Sequence, residues 1–394
     1  MADRSGSGLP NLLRTAGFGS LCSVMGLGYV QQGLILTIAP LYVVFLGYSE
    51  TVAGMLLAVF SVASVLGRPA FGRLTDRYRP RVVLTGGAAV AAVGAALHVS
   101  SLMWLLVVAS VVRGVGWGAL NTAGNAALVA LAPPDRRGVA SSIFNIFQNL
   151  GLAAAPALGL VLLNGRASGF QLVFCLAAGC AAVASLASFP LAAAPRAAVA
   201  VGLRGDYLRA ASLPSALVGV FMLAQPAMVI FVPLYAISLG VAVGTASLYY
   251  VALAGCGIVA RLLLGPFSDR FGRDRTILLG FAVSAGSLTV MAFAGGIEWI
   301  MVGGVLYAIG QALVVPAATA MAIDRVTPGG AGRVMGLFTG AFQAGMGAGA
   351  LVIALIIDSA GYRSMYIFSA VGLGIVTLVL ALRSARVTHS ATTP

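Results

Sequence analysis

Four arginines and one aspartate crowd the stretch Gly72-Arg-Leu-Thr-Asp-Arg-Tyr-Arg-Pro-Arg81, which lies between two strongly apolar runs. A second stretch, Gly265-Pro-Phe-Ser-Asp-Arg-Phe-Gly-Arg-Asp-Arg275, repeats the Gly, Asp and Arg positions of the first at a constant offset of 193 residues. Arg68, just before the first stretch, returns at the same offset as Arg261. A charged segment that recurs at a fixed offset indicates an internal duplication.

The duplication extends well beyond the charged stretches. Gln32 returns as Gln225 at the same offset, although each glutamine lies inside an apolar run. Between the repeats comes a segment rich in Ala, Pro, Gly and Arg, which is typical of a linker. We therefore predict two homologous halves, residues 1–190 and 213–394, joined by a cytoplasmic linker over residues 191–212.

The composition excludes a protein that folds in water. Of the 394 residues, 60% are hydrophobic and only 8% are charged, whereas about a quarter of a soluble domain is charged. Apolar runs of about 20 residues, the length of a helix that crosses a bilayer, occur twelve times. Their approximate limits are 18–44, 51–71, 82–100, 102–125, 139–163, 169–190, 214–239, 245–265, 276–295, 299–322, 333–357 and 362–382.

The distribution of arginine predicts the orientation in the membrane. The net charge of +13 is spread over short loops, which argues against a nucleic-acid-binding face. Arginine accumulates at both ends of the chain and in every second connection, and such residues stay on the cytoplasmic side. We predict a multi-pass protein of a bacterial inner membrane with both termini in the cytoplasm. The four cysteines lie in apolar runs without metal-ligand spacing, and no metal or cofactor is predicted.

The two charged stretches resemble the loop signature of the major facilitator superfamily, G-x-L-x-D-R-x-G-R-R. The first copy departs from it at Arg79 and Pro80, whereas the second keeps Gly272. The resemblance implies an all-α integral membrane fold of twelve transmembrane helices, arranged as two parallel six-helix halves with pseudo-twofold symmetry and working by alternating access. It also implies a cytoplasmic latch, unless these residues only mark orientation. The residues concerned are Gly72, Asp76, Arg77, Gly265, Asp269 and Arg270.

The fifth span carries a second resemblance. Gly151-Leu-Ala-Ala-Ala-Pro-Ala-Leu-Gly-Leu160 is similar to the antiporter signature G-x-x-x-G-P-x-x-G-G, with Gly151, Pro156 and Gly159 in matching positions. Small residues around one proline allow a helix to bend and to pack closely. The signature implies proton-coupled export, and the alternative is ordinary Gly and Ala packing.

Arg113 is the one charge well inside a predicted span. A charge at this depth is costly unless it faces water or a partner, so an intramembrane arginine indicates function. The surrounding segment, residues 106–118, resembles the family's fourth-helix signature, with Ser110 in the arginine position and Arg113 in the glutamine position. We interpret Arg113 as a substrate or coupling residue, and the alternative is a purely structural hydrogen-bonding arginine.

The family's first, fourth, seventh and tenth spans line its substrate cavity, and the polar residues of these spans are therefore candidate contacts. Amides in hydrocarbon need partners, so about half of the amides within spans are expected only to join helices. The predicted substrate contacts besides Arg113 are Gln32, Gln225, Gln311, Asn121, Tyr29, Trp117 and Tyr307, of which the three aromatic residues are expected to form a wall.

No acidic residue lies near the centre of a predicted span, so proton coupling has no obvious carboxylate. Glu50, at the outer start of span two, and Asp358, at the outer end of span eleven, are the best proton-coupling candidates. The plainer interpretation of both, and of His98 near the same face, is an exposed surface residue.

Two transport functions remain open. The resemblance implies a monomeric secondary transporter that exports small amphipathic drugs or metabolites in exchange for protons. The alternative is a carrier, by uniport or symport, of a small anionic metabolite bound through Arg113. An enzyme is not predicted, because the sequence contains no HExxH, GxSxG or P-loop pattern. A channel is not predicted either, because no repeated filter loop is present.

Overall fold

The computed structural model describes residues 17–132, 137–163, 167–189, 191, 206–264, 267–324 and 331–390, and these ranges contain helices and short connections but no strand. The helices of the first part of the chain are α1 (Phe18–Phe45), α2 (Glu50–Arg77), α3 (Pro80–Leu97), α4 (Met103–Leu131), α5 (Arg137–Leu163) and α6 (Ala167–Ala187). Those of the second part are α7 (Asp206–Val229), α8 (Val232–Ser238), α9 (Val243–Leu264), α10 (Phe267–Phe271), α11 (Arg273–Ala292), α12 (Ile297–Asp324) and α13 (Ala331–Ser390).

Eleven helices in the described ranges are long and apolar enough to cross a membrane. The last of them, α13, contains two spans, because Gly361 has φ 80° and ψ 172° and interrupts the helix. Glycine adopts a positive φ without the steric cost that other residues pay. The all-helical membrane fold with twelve spans is therefore confirmed.

The predicted loop between spans two and three is mostly helical. We expected span two to end at residue 71, but α2 continues to Arg77 and only Tyr78 and Arg79 connect it to α3. Charged residues do not end a helix, whereas a proline forces the residue before it into an extended conformation. Arg79 accordingly has φ −48° and ψ 143°. At the equivalent position of the second repeat, Gly272 provides the turn with φ 87°.

Span seven is broken, although its apolar run predicted one helix over 214–239. It consists of α7 and α8, which meet at Ile230 and Phe231 just after Pro226. Proline has no N–H to donate to the carbonyl four residues earlier, and Pro233, in the first turn of α8, leaves the carbonyl of Val229 without that donor. Three tyrosine hydroxyls donate to the carbonyls before the break: Tyr249 to Met228 at 2.6 Å, Tyr250 to Val229 at 2.6 Å, and Tyr366 to Ala227 at 3.0 Å.

The contacts divide the chain into two compact units. The first unit contains residues 1–39 and 59–199, and the second contains residues 40–58 and 200–394. The tip of the hairpin formed by α1 and α2 thus groups with the second unit, which differs from the predicted boundary. Residues 206–212 of the predicted linker already belong to α7, and residues 192–205 lie outside the described part of the chain.

Glycines bring the helices of the first unit into backbone contact. A Cβ at Gly116 of α4 would lie 2.7 Å from the carbonyl oxygen of Gly87 in α3, and one at Gly118 would lie 2.7 Å from that of Ser64 in α2. Both distances are shorter than a carbon can tolerate, so only glycine fits at these two positions. Helix α4 therefore packs tightly against both neighbours, which positions its polar side chains.

Candidate functional site

Arg113 of α4 is buried in the first unit, with 3% of its surface exposed. Its Nη1 donates to Gln32 Oε1 of α1 at 2.8 Å, and its guanidinium lies 4.1 Å from the centre of the Phe60 ring of α2. The Nε atom is buried and has no acceptor among the described residues. The prediction that Gln32 and Arg113 belong to one site is thus supported by a direct contact.

Two glycines determine how deeply Arg113 is buried. A Cβ at Gly94 of α3 would lie 2.6 Å from the backbone nitrogen of Arg113, and a Cβ at Gly114 would lie 2.4 Å from the carbonyl oxygen of Phe60. Helices α2, α3 and α4 therefore touch around the arginine. The guanidinium is held between a neutral amide and an aromatic face, a cation–π arrangement that gives only part of the stabilisation of an ion pair.

Tyr29, Trp117 and Asn121 form a second polar group in the first unit. The hydroxyl of Tyr29 donates to Asn121 Oδ1 at 3.0 Å, and the Tyr29 and Trp117 rings meet edge to face with centres 4.8 Å apart. Asn121 also donates to the backbone carbonyl of Trp117 at 3.1 Å. The structure brings these three predicted residues together, and it adds Arg68 of α2, which interacts electrostatically with Tyr29.

The second unit contains a neutral cluster on α7 and α12. Gln225 Oε1 accepts hydrogen bonds from the Tyr307 hydroxyl at 2.8 Å and from Gln311 Nε2 at 3.0 Å. Tyr307 is 1% exposed and stacks on Phe221 with ring centres 5.7 Å apart. Arg261 of α9 donates to Gln311 Oε1 at 3.5 Å. All three predicted residues of this unit therefore contact one another.

Arg113 and Tyr307 occupy equivalent positions in the two repeats, at an offset of 194 residues, one more than that of the charged stretches. Each lies three residues before a glycine that contacts the neighbouring helix. Gly116 approaches the Gly87 carbonyl, and a Cβ at Gly310 would lie 2.9 Å from the carbonyl oxygen of Gly280. Each also bonds the glutamine that repeats at the constant offset. The duplicated scaffold thus presents a charge in one unit and a neutral phenol in the other.

The antiporter-like residues of α5 form its contact with α1. A Cβ at Gly151 would lie 2.5 Å from the Gly26 carbonyl oxygen, and one at Gly159 would lie 3.0 Å from the side chain of Ile38. Pro156 lies inside α5, which continues through it. The segment is therefore a packing surface, and its role in antiport stays a prediction.

Half of the six predicted latch residues lie outside what the structure describes. The side chains of Asp76 and Asp269, and all of Gly265, lie outside the described part, while Arg77 and Arg270 are exposed. Gly72 has no neighbour within 4 Å of an added Cβ. In the second repeat Arg273 forms an ion pair with Asp324 of α12 at 3.2 Å.

The two proton-coupling candidates lie in one cluster of the second unit. Glu50 Oε1 accepts from the Tyr362 hydroxyl at 2.7 Å, and Asp358 Oδ2 accepts from the backbone N–H of Thr51 at 3.0 Å. The side chains of Ser49, Glu50 and Thr51 all lie within hydrogen-bonding reach of the Asp358 carboxylate. Asp358 thus stabilises the positive end of α2 in the manner of a helix cap.

His98 is not the exposed residue that the sequence led us to expect. It directly follows α3, is 2% exposed, contacts the Gly94 carbonyl through Nδ1 at 2.7 Å, and lies 5.6 Å from the Phe174 ring centre. Burial, followed by the nearby charge of Arg113, lowers the pKa of His98 to about 3. The expectation was wrong because α6 covers a position that hydropathy places at a helix end.

Four residues of these polar clusters were not among the predicted site residues. Phe60 gave no signal, because an aromatic residue in an apolar run is ordinary, and Tyr362 became relevant only through its contact with Glu50. Arg68 and Arg261 did give a signal: they repeat at the constant offset. The arginine distribution interprets both as markers of orientation, but in the structure they lie within the apolar helices α2 and α9.

Comparison with known proteins assigns the family. A family model described as Major Facilitator Superfamily matches residues 20–265 and 215–394. An MFS-type transporter of Pseudomonas aeruginosa is 28% identical over 386 residues. The match covers 90% of this chain and 90% of that protein. The fosmidomycin resistance protein of Escherichia coli is 26% identical over 352 residues, which cover 85% of this chain and 84% of that protein.

Solved structures show the same fold at lower sequence identity. The crystal structure of a POT family transporter in complex with 5-aminolevulinic acid superposes with a TM-score of 0.83 at 14% identity. The match covers 97% of this chain and 98% of that one. It establishes the fold alone.

Proposed function

Because the chain belongs to the major facilitator superfamily, we propose that it is a secondary active transporter that exports small amphipathic drugs or metabolites in exchange for protons. Membership makes it a multi-pass membrane transporter for small molecules. The family and the matched relatives are transporters rather than enzymes. The direction of transport, the coupling ion and the substrate are the proposed part.

One observation carries the proposal: polar clusters are buried on matching helices of both units. Gln32 with Arg113 joins α1 to α4, and Gln225 with Tyr307 joins α7 to α12. Buried polar groups in apolar spans are costly, and they mark the path of a substrate or ion. Tyr29 and Trp117 add aromatic surface that suits an amphipathic compound.

Export is supported by a relative whose name refers to resistance, the fosmidomycin resistance protein. In alternating access the substrate site opens to one side of the membrane at a time. The repeated Gly, Asp and Arg of the charged stretches are the proposed cytoplasmic latch, which Asp76→Asn would weaken. The proposed location is a bacterial inner membrane with cytoplasmic termini.

Proton coupling is assigned to Glu50 and Asp358. Both accept hydrogen bonds across the contact between the start of α2 and α13, so protonation of either carboxylate would weaken that contact. A group that binds a proton and also joins two helices can couple proton binding to a conformational change.

The test is a measurement of internal pH in proteoliposomes that contain the full chain and carry an imposed proton gradient. Cationic, neutral and anionic compounds are added in turn, and at least one is expected to evoke proton movement. Glu50→Gln and Asp358→Asn should each reduce the evoked rate more than tenfold. Glu298→Gln is the matched control, because Glu298 is exposed at the start of α12. Uptake without proton movement would show that proton exchange is wrong.

A second candidate function is favoured by Arg113. A buried guanidinium attracts anions, which suits a carrier of a small anionic metabolite by uniport or symport. The same proteoliposomes separate the candidates, since symport moves protons with the substrate, antiport moves them against it, and uniport moves none.

A further inference from the structure

The positive charge of Arg113 has no described counter-charge within its own unit. Every acidic side chain that the structure describes belongs to the second unit: Glu50, Asp274, Glu298, Asp324 and Asp358. A buried charge is normally paired with an opposite one, because leaving water without compensation is costly. Arg113 is therefore unlike an ordinary structural arginine.

One buried hydrogen-bond donor of Arg113 is also unused. A guanidinium has five N–H donors in a planar fork. Gln32 Oε1 accepts from Nη1, and the buried Nε–H meets no acceptor among the described residues. The fork geometry matches the two oxygens of a carboxylate or a phosphonate, which can accept two parallel hydrogen bonds.

The equivalent position in the second unit shows that the scaffold does not require this charge. Tyr307 makes the same contact to a glutamine on the equivalent helix, and Gln311 completes that cluster. No buried side-chain atom of Gln225, Tyr307 or Gln311 is left without a hydrogen-bond partner, whereas Nε of Arg113 is. A buried cation that lacks a counter-charge and one hydrogen-bond acceptor is explained by an anionic ligand that binds reversibly.

We propose that the guanidinium of Arg113 binds an anionic group of the transported compound, a carboxylate or phosphonate oxygen taking the place of Gln32 Oε1. The inference rests on the proposed transport function and names a chemical group that the substrate carries. The amide of Gln32 stabilises the empty site with its dipole, and the Phe60 ring lies under the guanidinium in both states. Tyr29 and Trp117, near the same helices, would contact the apolar part.

The first experiment measures binding with four compounds that differ only in the charged group. Benzoate, phenylphosphonate, benzamide and benzylammonium are added to purified full-length protein in a detergent without anionic lipid, and thermal unfolding is recorded. Benzoate and phenylphosphonate are expected to raise the melting temperature by several degrees, benzamide and benzylammonium by less than one. Added phosphatidylglycerol, which carries a phosphate anion, tests whether a lipid headgroup is the occupant. Equal shifts from benzamide, stabilisation by phosphatidylglycerol alone, or no shift from either anion would overturn the proposal.

The second experiment separates binding from a structural role. Arg113→Gln is expected to abolish the anion-induced shift and to raise the melting temperature of the ligand-free protein, because it removes an uncompensated charge. A structural arginine would instead leave a less stable protein. Arg363→Gln is the matched control, since Arg363 also lies over a phenyl ring, Phe293, at 4.7 Å but is exposed. The control should keep the full response to benzoate.

Failure of this inference is distinguishable from failure of the transport function. If wild type and Arg113→Gln transport neutral or cationic compounds equally in proteoliposomes, and benzoate does not bind, the transporter stands and the anionic group is wrong. If benzoate binds through Arg113 but no compound crosses the bilayer, the site stands and the transport proposal is wrong.

Discussion

The two halves of this protein use one scaffold for two different polar centres. In the first unit Gln32 faces a charged Arg113 over the ring of Phe60, and in the second Gln225 faces a neutral Tyr307 that stacks on Phe221. Some of the helix contacts beneath recur in both units, since Gly116 approaches the Gly87 carbonyl and Gly310 approaches the Gly280 carbonyl. The duplication therefore preserved the packing while the chemistry diverged.

The difference separates a structural centre from a functional one. In the neutral centre one oxygen, Gln225 Oε1, accepts hydrogen bonds from both Tyr307 and Gln311. The charged centre leaves a buried donor unsatisfied. Saturated polar groups make a packed core more specific, whereas unsaturated ones reduce stability and are kept for another reason.

The largest effect is expected from Tyr307→Arg, which places a positive charge at the position of the second unit that corresponds to Arg113. We expect a loss of about 3–5 kcal/mol in the free energy of unfolding, or no folded protein, because a buried charge without a counter-charge is that costly. Arg261 lies close to the same cluster and adds like-charge repulsion. Thermal unfolding of the purified variant measures the effect.

Tyr307→Phe is the control for that change. It removes one hydrogen bond to Gln225 and keeps the stacked ring, so it should lower stability by about 1 kcal/mol. Should Tyr307→Arg prove as stable as the phenylalanine variant, the second unit would tolerate a charge as the first does, and the contrast between the centres would fail.

A second test concerns the glycine contacts between helices, which occur in both units. A Cβ at Gly345 of α13 would lie 2.2 Å from the Gly219 carbonyl oxygen, and one at Gly151 would lie 2.5 Å from that of Gly26. Gly345→Ala and Gly151→Ala should each lower stability by about 1–3 kcal/mol, because overpacking forces the helices apart. Gly179→Ala, where nothing lies within 4 Å, should be neutral. A neutral result at Gly151 alone would show that the halves pack differently.

The smallest expected effect concerns pH. His98 of the first unit corresponds at the constant offset to Met291 of the second, and both are buried. The pKa of His98 falls from 6.5 to about 3 on folding, so the unfolded chain takes up a proton below pH 6.5 that the folded chain does not. Stability is therefore complete above that pH and decreases as the pH falls, by about 1 kcal/mol between pH 7 and pH 5.5.

His98→Met should remove this pH dependence and make the first unit resemble the second. The measurement compares melting temperatures of wild type and variant across that pH range, because the difference cancels the titration of the carboxylates. Parallel curves for the two proteins would contradict the prediction.

The fold was largely predictable, because the length and hydropathy of an apolar run are enough to identify a span. Both properties are retained in the two copies of the duplicated half. The limits of α2 were missed, because charged residues were taken for a turn although they are compatible with a helix, as Asp76 and Arg77 show. The break in span seven was missed as well. Hydropathy does not register a helix break, and the carbonyls before this one accept hydrogen bonds from tyrosine hydroxyls of other helices.

The candidate site was partly predictable. The polar residues of the apolar runs were identified one by one, and the structure joins them into small groups, including Gln32 with Arg113 and Gln225 with Tyr307. What periodicity could not supply is the identity of partners on other helices. The sequence gives no indication that Phe60 is a partner of Arg113, and the burial of His98 depends on α6.

The break in span seven makes the first and seventh spans unequal, although they descend from one ancestor. Helix α1 continues from Phe18 to Phe45 through Pro40, whereas the seventh span is two helices. At the joint after α7, the carbonyls of Met228 and Val229 are held by hydroxyls of α9 rather than by α8. Helix α8 is anchored in turn by Tyr235, whose hydroxyl lies within hydrogen-bonding distance of the carbonyls of Met291 and Ala294. The seventh span can thus change direction inside the membrane while side-chain hydroxyls, and not lipid, meet the backbone carbonyls at the break.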